Sequence, residues 1–502
     1  MTQLSEKDFH DLLTIGVALG TQKNLSDLLH IILEKGKDIL RCQKASFFYV
    51  DSSSPITSKQ LVYFSLQHKQ AQLTFPIDNH SLAGYVASHK CLLNIEDVHQ
   101  LESDLPFNFN PRFDHQGTIK SISLLSAPLL DHEGKLIGVL QFFNKLSPEK
   151  NIISFNQRDE FILKSLSNQA AVSIVSAKSN EDIKNLFEGF IRASVTAIES
   201  RDPTTSGHSE RVAKLTLSLS QEVNDINHGQ FKNINFDHSQ FRQIEFAALL
   251  HDFGKIGVRE HILSKANKLY PHELPAIFNE LDLILNELTL YYAQLKIDHL
   301  EQYKKVDIHL FAQFDLDVIQ MKKNIDQLKT LLTAANQPGE TTKHALEKIE
   351  KLLELIKESA KTTRIVVNQD QLQRLKIESG TLTQAERLQI QEHVTNSFMF
   401  LQRIPWTRSF EKVPEIAFSH HEKIDGSGYP RGLKGNQIPL ESRIMTVADI
   451  FDALVSLDRP YKKALPIKDA LTILKQEAAR QKIELDLVNL FIQKNVYKAT
   501  HK

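Results

Sequence analysis

Apolar positions in the first third of this chain switch between helical and strand spacing. Leu28, Ile31, Ile32 and Ile39 recur at the three-and-four interval of a helix, and residues 45–50 then read as a strand. Residues 61–66 and 73–77 are further β-like runs. Residues 81–89 form a short helical pattern with Leu82, Tyr85 and Val86 on one side. Two more strands are expected at 121–130 and 136–143, joined by Asp131-His132-Glu133-Gly134-Lys135. Gly134 takes a positive φ at little cost there, which favours a hairpin. One sheet with flanking helices, an α+β unit, is the sum.

From 154 to 200 the spacing is helical throughout. Phe161, Leu166, Ala170, Ile174, Ala177, Leu186, Ile191, Val195 and Ile198 predict a long, apolar-striped connecting helix, interrupted near Ser179-Asn180. Such a stripe either packs on the adjoining domains or forms a homodimer seam that carries a signal, and it does not identify its own partner. After Arg201 the chain reads as helices separated by short Gly/Pro turns. Residues 274–381 are rich in Leu, Ile, Lys, Glu and Gln, with one clear break at Asn336-Gln337-Pro338-Gly339. They predict a helical hairpin or bundle inserted into an all-α C-terminal domain.

Composition narrows the class. The 502 residues allow two or three folded units, and 41% hydrophobic with 24% charged residues is ordinary for a globular protein. Sixty basic residues against 61 acidic ones leave no basic field for a nucleic-acid polymer, while a small phosphate ligand needs only a local positive pocket. Cys42 and Cys91 are the only cysteines, too few for a disulfide framework, so a reducing, cytoplasmic setting is expected. Glu6, Asp8 and Asp11 interrupt the N-terminal apolar pattern, unlike a signal peptide. No run of about 18 uncharged apolar residues predicts a membrane span.

The candidate chemistry lies in the C-terminal half: His208, His251-Asp252, His393, His420-His421 and Asp449. Imidazoles and carboxylates suit Fe, Mn or Zn, and a carboxylate can bridge two ions. Seven such groups exceed one tetrahedral site and suit two metals with open positions. Taken singly, each of the 21 histidines is more readily structural. Context raises these: Ala247-Ala248-Leu249-Leu250 would bury the His251-Asp252 pair, which is costly without a compensating cation. Lys255, expected one helical turn after His251, can reach a phosphate oxygen. The block His420-His421-Glu422-Lys423-Ile424-Asp425-Gly426-Ser427-Gly428-Tyr429-Pro430 follows two adjacent ligands with a tight glycine loop.

In order and spacing these blocks resemble the HD-GYP family of cyclic di-GMP phosphodiesterases over about residues 187–500, apart from the insertion. Arg201-Asp202-Pro203, Gly207-His208-Ser209-Glu210-Arg211-Val212, Glu392-His393-Val394 and residues 447–454 with Asp458-Arg459-Pro460-Tyr461-Lys462 fit the same pattern. The resemblance implies two divalent metal ions, Fe or Mn: one held by His208, His251, Asp252 and Asp449, the other by His393, His420 and His421, with Asp252 bridging. It further implies Lys255 and Asp252 as catalytic groups, and substrate contacts from Lys255, Gly428, Tyr429, Pro430, Arg459 and Lys462. For Arg459 and Lys462 solvated surface charge is an equal alternative, and for Tyr429 the alternative is packing beside Pro430. Hydrolysis of cyclic di-GMP to the linear dinucleotide or GMP is the expected activity. A mixed cyclic GMP–AMP dinucleotide, or a non-catalytic binding module, stands as the alternative. Two departures are evident. His393 follows His251 by 142 residues, far more than in the family, and Thr204 stands where some relatives carry a third-metal Glu.

The N-terminal part has its own likeness. Asn144-Lys145, Phe155 and Asp159-Glu160, with Phe113-Asp114 and the run Gly138-Val139-Leu140-Gln141-Phe142-Phe143, resemble GAF domains like those of cyclic-nucleotide phosphodiesterases over about residues 10–176. The likeness implies small-molecule sensing, with a cyclic nucleotide as one candidate, and a Lys145–Asp159 pair that either locks the domain or is an exposed pair of little consequence. The expected organisation is a GAF-like sensor at 1–176, a connecting helix at 177–200, and an HD-GYP domain at 187–502 carrying an insertion at about 274–381.

Overall fold

The computed structural model describes residues 5–22, 24–51, 60–65, 74–102, 104–109, 120–201, 206–339, 342–456 and 464–500. They divide into two compact units, Met1–Glu188 and Gly189–Lys502.

The first unit is a seven-stranded antiparallel sheet of order β3-β2-β1-β6-β5-β4, with β7 added to the end of β6. Its strands are β1 (Cys42–Asp51), β2 (Gln60–Ser65), β3 (Thr74–Pro76), β4 (Leu93–Ile95), β5 (Leu124–Leu130), β6 (Leu136–Leu146) and β7 (Ile152–Ile153). Phe47 of β1 faces Leu140 of β6, which faces Ala127 of β5. All three share a core with helices α1 (Glu6–Thr21), α2 (Leu25–Leu40) and the start of α4 (Gln157–Arg201). Ala83, Val86 and Ala87 of α3 (Leu82–His89) pack on the other face with Phe48 and Val139. The strand expected at 121–130 begins at Leu124, because the Ser121–Ser123 stretch is spent on side-chain and backbone bonds to Asn144 and Ile153.

Helix α4 differs from expectation. It runs unbroken for 45 residues through Ser179-Asn180. Neither residue is Gly or Pro, and each costs a helix well under about 1 kcal/mol. The stripe also resolves into parts. Leu166, Ala170, Ile174 and Ala177 are buried in the first unit's core, and Ile191, Val195 and Ile198 are buried further along, whereas Phe161 and Leu186 are exposed.

The second unit is helical: α5 (His208–Asp225), α6 (His238–Leu250), a 3-10 turn at Phe253–Gly257, α7 (Glu260–Leu263), α8 (Glu273–Tyr303), α9 (Ile308–Ala335), α10 (Lys343–Ser359), α11 (Gln369–Leu375), α12 (Gln384–Leu401), α13 (Val413–Phe418), α14 (Leu440–Val455), α15 (Ile467–Ala479) and α16 (Leu485–Gln493). Helices α8–α11 form a bundle with its own core, including Leu281, Ile284, Ile325, Leu328, Ile349 and Leu375. The one break expected there is joined by two others, at 304–307 and 360–368. Lys304 takes the left-handed conformation and Asp307 caps α9 through its side chain. At the base of the bundle the buried Lys265 ammonium donates to both Glu386 oxygens at 2.8 and 2.9 Å, and the Tyr270 hydroxyl donates to Glu386 at 2.6 Å. Burial opposes ionisation of Glu386, but these donors with Thr383 hold it down at about 2. The segments that flank the insertion on either side are thereby tied together.

Candidate metal centre

His251 ends α6, Asp252 follows it into the 3-10 turn, His393 lies in the middle of α12, and His420 and His421 follow α13. His208 opens α5 and Asp449 lies on α14. Three of the imidazoles are set in the same way. Nδ1 of His251 is 2.7 Å from Ala248 O, that of His393 is 2.5 Å from Ile390 O, and that of His420 is 2.6 Å from Ala417 O. A carbonyl only accepts, so Nδ1 carries the proton and Nε2 presents its lone pair. All three Nε2 atoms are buried without a hydrogen-bond partner. Three orphaned buried acceptors at one point are costly unless a cation meets them.

The donor set fits divalent metals. Ligand atoms of His208, His251 and Asp449 lie within 4.8 Å of one another, as do those of His393, His420 and His421. A third such group, His251, Asp252 and His420, takes one histidine from each side. Asp252 reaches both ways, with Oδ1 3.2 Å from His393 Nε2 and Oδ2 3.4 Å from His251 Nε2 and 3.8 Å from His208 Nε2.

Electrostatics point the same way. Burial would raise Asp252 and Asp449, but surrounding imidazoles, and Lys255 beside Asp252, hold both well below the usual carboxylate range. Burial drives His421 down to about 4 and His420 well below the ordinary histidine value, neighbouring histidines adding to the effect on both, so both are neutral ligands. His208 goes the other way, up to about 9: burial opposes its charge, but the bonds to Asp449 and Asp452 prevail. The carboxylates demand positive charge at this point, which a metal also satisfies.

Other residues act from behind. Asp452, fully buried, accepts from His208 Nδ1 at 2.8 Å and from Arg211 Nε at 2.8 Å, and Arg211 also donates to Ser456 Oγ at 2.7 Å. Ser397 Oγ accepts from Gly254 N and donates to His251 O, both at 2.7 Å. Thr446 Oγ1 donates to His420 O at 2.8 Å. A Cβ on Gly254 would lie 1.9 Å from His393 O, so only glycine lets the turn touch α12. The roles of Asp452, Ser397 and Thr446 were not legible in the sequence. Asp452 alone left a trace, one helical turn after Asp449.

Lys255 stands in the 3-10 turn rather than on an α-helix, its ammonium 2.7 Å from Asp252 Oδ2. The Tyr429 ring lies 4.8 Å from that of His421, and its backbone N–H bonds to His421 O at 3.2 Å. A Cβ on Gly428 would sit 2.3 Å from Lys423 N, so the loop folds tightly onto the residues after His421. Buried Glu422 accepts from the N–H groups of Arg431 and Leu433 at 2.8 and 2.9 Å and fixes the loop, Pro430 included. Arg459, Lys462, Thr204, Phe113 and Asp114 lie outside the described residues.

In the first unit, Lys145 and Asp159 form a buried, short ion pair rather than an exposed one. Asn144 accepts from Ile122 N and donates to Gln43 Oε1 and Lys120 O; Phe155 is in the core; Glu160 accepts from Asn94 at 2.7 Å. These five residues lock the end of β6 to the start of α4.

A GAF domain model matches residues 24–174 and an HD domain model matches 342–487. A 3'3'-cGAMP-specific phosphodiesterase 3 of Vibrio cholerae is 44% identical over 97 residues, 19% of this chain and 20% of that protein. A 3'3'-cGAMP-specific phosphodiesterase 1 of the same organism is 38% identical over 114 residues, 23% and 26% of the two chains. A cyclic di-GMP phosphodiesterase of Thermotoga maritima is 44% identical over 97 residues, 19% and 26%. The matches thus span a fifth to a quarter of these relatives' length. The chain carries a GAF domain followed by an HD domain, and the relatives it matches over part of its length are phosphodiesterases for cyclic dinucleotides. His208, His251 and Asp252 precede the matched HD stretch, beyond the inserted helices, yet meet the later ligands in space.

Proposed function

We propose that the second unit hydrolyses a cyclic dinucleotide, cyclic di-GMP in the first instance, to the linear dinucleotide or GMP. The observation that carries this is the convergence of His208, His251, Asp252, His393, His420, His421 and Asp449, with three imidazole Nε2 atoms buried and unpartnered. Fe or Mn held as a pair, with Asp252 between them, would supply Lewis-acid charge and lower the pKa of water near neutral pH. The chain's own groups then orient the substrate. Lys255 offers its ammonium to a phosphoryl oxygen, and its contact with Asp252 Oδ2 holds that ammonium in place. Tyr429, its ring tilted against that of His421, walls the site toward the loop of Gly428 and Pro430, where a base or ribose would lie. Arg459 and Lys462 would hold the distal phosphate. The water oxygen gives up a proton as it bonds to phosphorus, the bond from phosphorus to the ribose oxygen breaks, and that oxygen takes up a proton, so one water is consumed for each bond cut.

The similarity to 3'3'-cGAMP-specific enzymes favours a second reading, in which the mixed dinucleotide is the substrate. The GAF domain would regulate by binding a small molecule such as a cyclic nucleotide. Exposed Leu186 on α4 suits a homodimer, and unpaired Cys42 and Cys91 suit the cytoplasm. Among the described residues no helix is long and apolar enough to cross a membrane.

Anaerobic purification, metal analysis and incubation with each dinucleotide test the proposal. About two equivalents of Fe or Mn with linear product is the expected result. His251→Ala or Asp252→Ala should abolish turnover while the fold persists, and full activity in either would refute the site. A metal-free chain that still binds the dinucleotide would make it a binding module instead.

A further inference from the structure

His208 alone among the candidate ligands opens an α-helix, so its place depends on how the first turn of α5 is held. The first N–H groups of a helix have no partner within it. Elsewhere in the second unit Asp307, Asn368 and Thr383 cap α9, α11 and α12 with their own side chains. The start of α5 cannot cap itself in this way. Its N-cap is Gly207, at φ 66° in the left-handed region, and a Cβ there would lie 3.1 Å from Arg211 Nη1.

The cap comes instead from another helix. Glu199, in the last turn of α4, accepts from Gly207 N at 2.9 Å through Oε2 and from Ser209 N at 3.4 Å through Oε1. These are the N–H groups of the residues on either side of His208. Ser209 is buried, so water does not readily replace the carboxylate. The end of α4 is itself packed, with Ile191, Val195 and Ile198 buried. The His208 ring answers to a third helix, since Nδ1 is 2.8 Å from Asp452 on α14. A cap on the helix's own N-cap residue moves with that helix. A cap from α4 fixes the first turn of α5 relative to α4.

We infer that Glu199 is a positioning residue for His208, and that through it the end of α4 sets the ligand group of His208, His251 and Asp449. This rests on the reading of the site as a metal centre. The start of α4 lies in the core of the first unit, so one helix carries both that core contact and the support of a ligand. Without Glu199 the first turn of α5 must shift to find other acceptors, and His208 then cannot keep both Asp452 and its place at the centre. Loss of a group that orients a metal ligand typically weakens binding ~10–100-fold.

Titration of the metal-free, full-length chain with Mn2+, followed by calorimetry, tests this without reference to turnover. The wild type should bind about two Mn2+. Glu199→Ala should keep one site at its normal affinity and bind ~10-fold or more weakly at the other. Asp307→Ala strips a cap of the same kind from α9 and should leave both sites unchanged. So should Glu210→Gln, which removes an equal charge from the first turn of α5 while the two Glu199 bonds remain. Should Glu199→Ala not fold, as read by circular dichroism, Glu199→Gln carries the test: its one amide oxygen can serve only one of the two N–H groups, and the same site should weaken. Two intact sites in the folded Glu199 variant, or equal weakening in either control, would overturn the inference and leave the metal centre standing. A wild type that binds fewer than two Mn2+ would remove the metal centre and the inference together.

Discussion

Asp452 does for His208 what backbone carbonyls do for His251, His393 and His420: it holds Nδ1 so that Nε2 faces the centre. The difference is charge. A carboxylate behind an imidazole raises its basicity toward a metal, and loss of such a partner typically lowers metal affinity by ~10–100-fold. Asp452→Asn should show that loss in competition with a chelator while thermal stability falls only modestly, because Arg211 keeps Ser456 as a partner. Unchanged affinity would mean that Asp452 merely neutralises Arg211. Residues of this kind escape a reading of the sequence. His and Asp stand out as potential ligands wherever they fall. A second aspartate 244 positions from the imidazole it serves, or a serine such as Ser397 bridging Gly254 and His251, carries no local mark of its partner.

At the scale of elements the centre depends on how closely the 3-10 turn after Asp252 meets α12. Gly254 and Ser397 make that contact, and it sets the distance from Asp252 to His393. Gly254→Ala places a methyl against the His393 carbonyl; overpacking of this kind costs ~1–3 kcal/mol. Its expected signature is bound metal lost from the His393, His420 and His421 group with a lower melting temperature, read by metal analysis and calorimetry. Full metal content in the Gly254→Ala chain would show that the turn can shift without disturbing the ligands. Elements with a strong period were legible beforehand: the central strands, the inserted helices, the hairpin at Gly134. The continuity of α4 and the breaks at 304–307 and 360–368 were not. Polar Ser179-Asn180 suggests an interruption that an exposed helix tolerates, whereas Lys304 enters the left-handed region for only ~1–2 kcal/mol with no glycine to announce it. The three-residue strand β4 is too short to show any period.

At the scale of the molecule, each unit is closed by ionic contacts between segments far apart in sequence, and the first unit shows how this ties stability to pH. Arg158 at the start of α4 donates to Asp8 of α1 and, at 3.1 Å, to Asp159, which in turn holds Lys145 at the end of β6. The Arg158 hydrogen bond is the chief cause that holds the Asp8 carboxyl below the usual range; burial opposes it and the Ser5 bonds assist. A carboxyl depressed on folding contributes stability above its unfolded value of about 3.9, and that contribution is lost as pH falls through the folded value. Asp8→Asn should therefore lower the melting transition of the first unit at pH 7, by an amount corresponding to ~1–3 kcal/mol for hydrogen bonds to a charged group. Because Asn cannot titrate, the gap between the two chains should narrow below about pH 4, as the unfolded wild type begins to take up its proton. Scanning calorimetry of the full chain from pH 3 to 7 measures both effects. A gap that stays constant with pH would assign the loss to packing of α1 rather than to the Asp8–Arg158 charge pair.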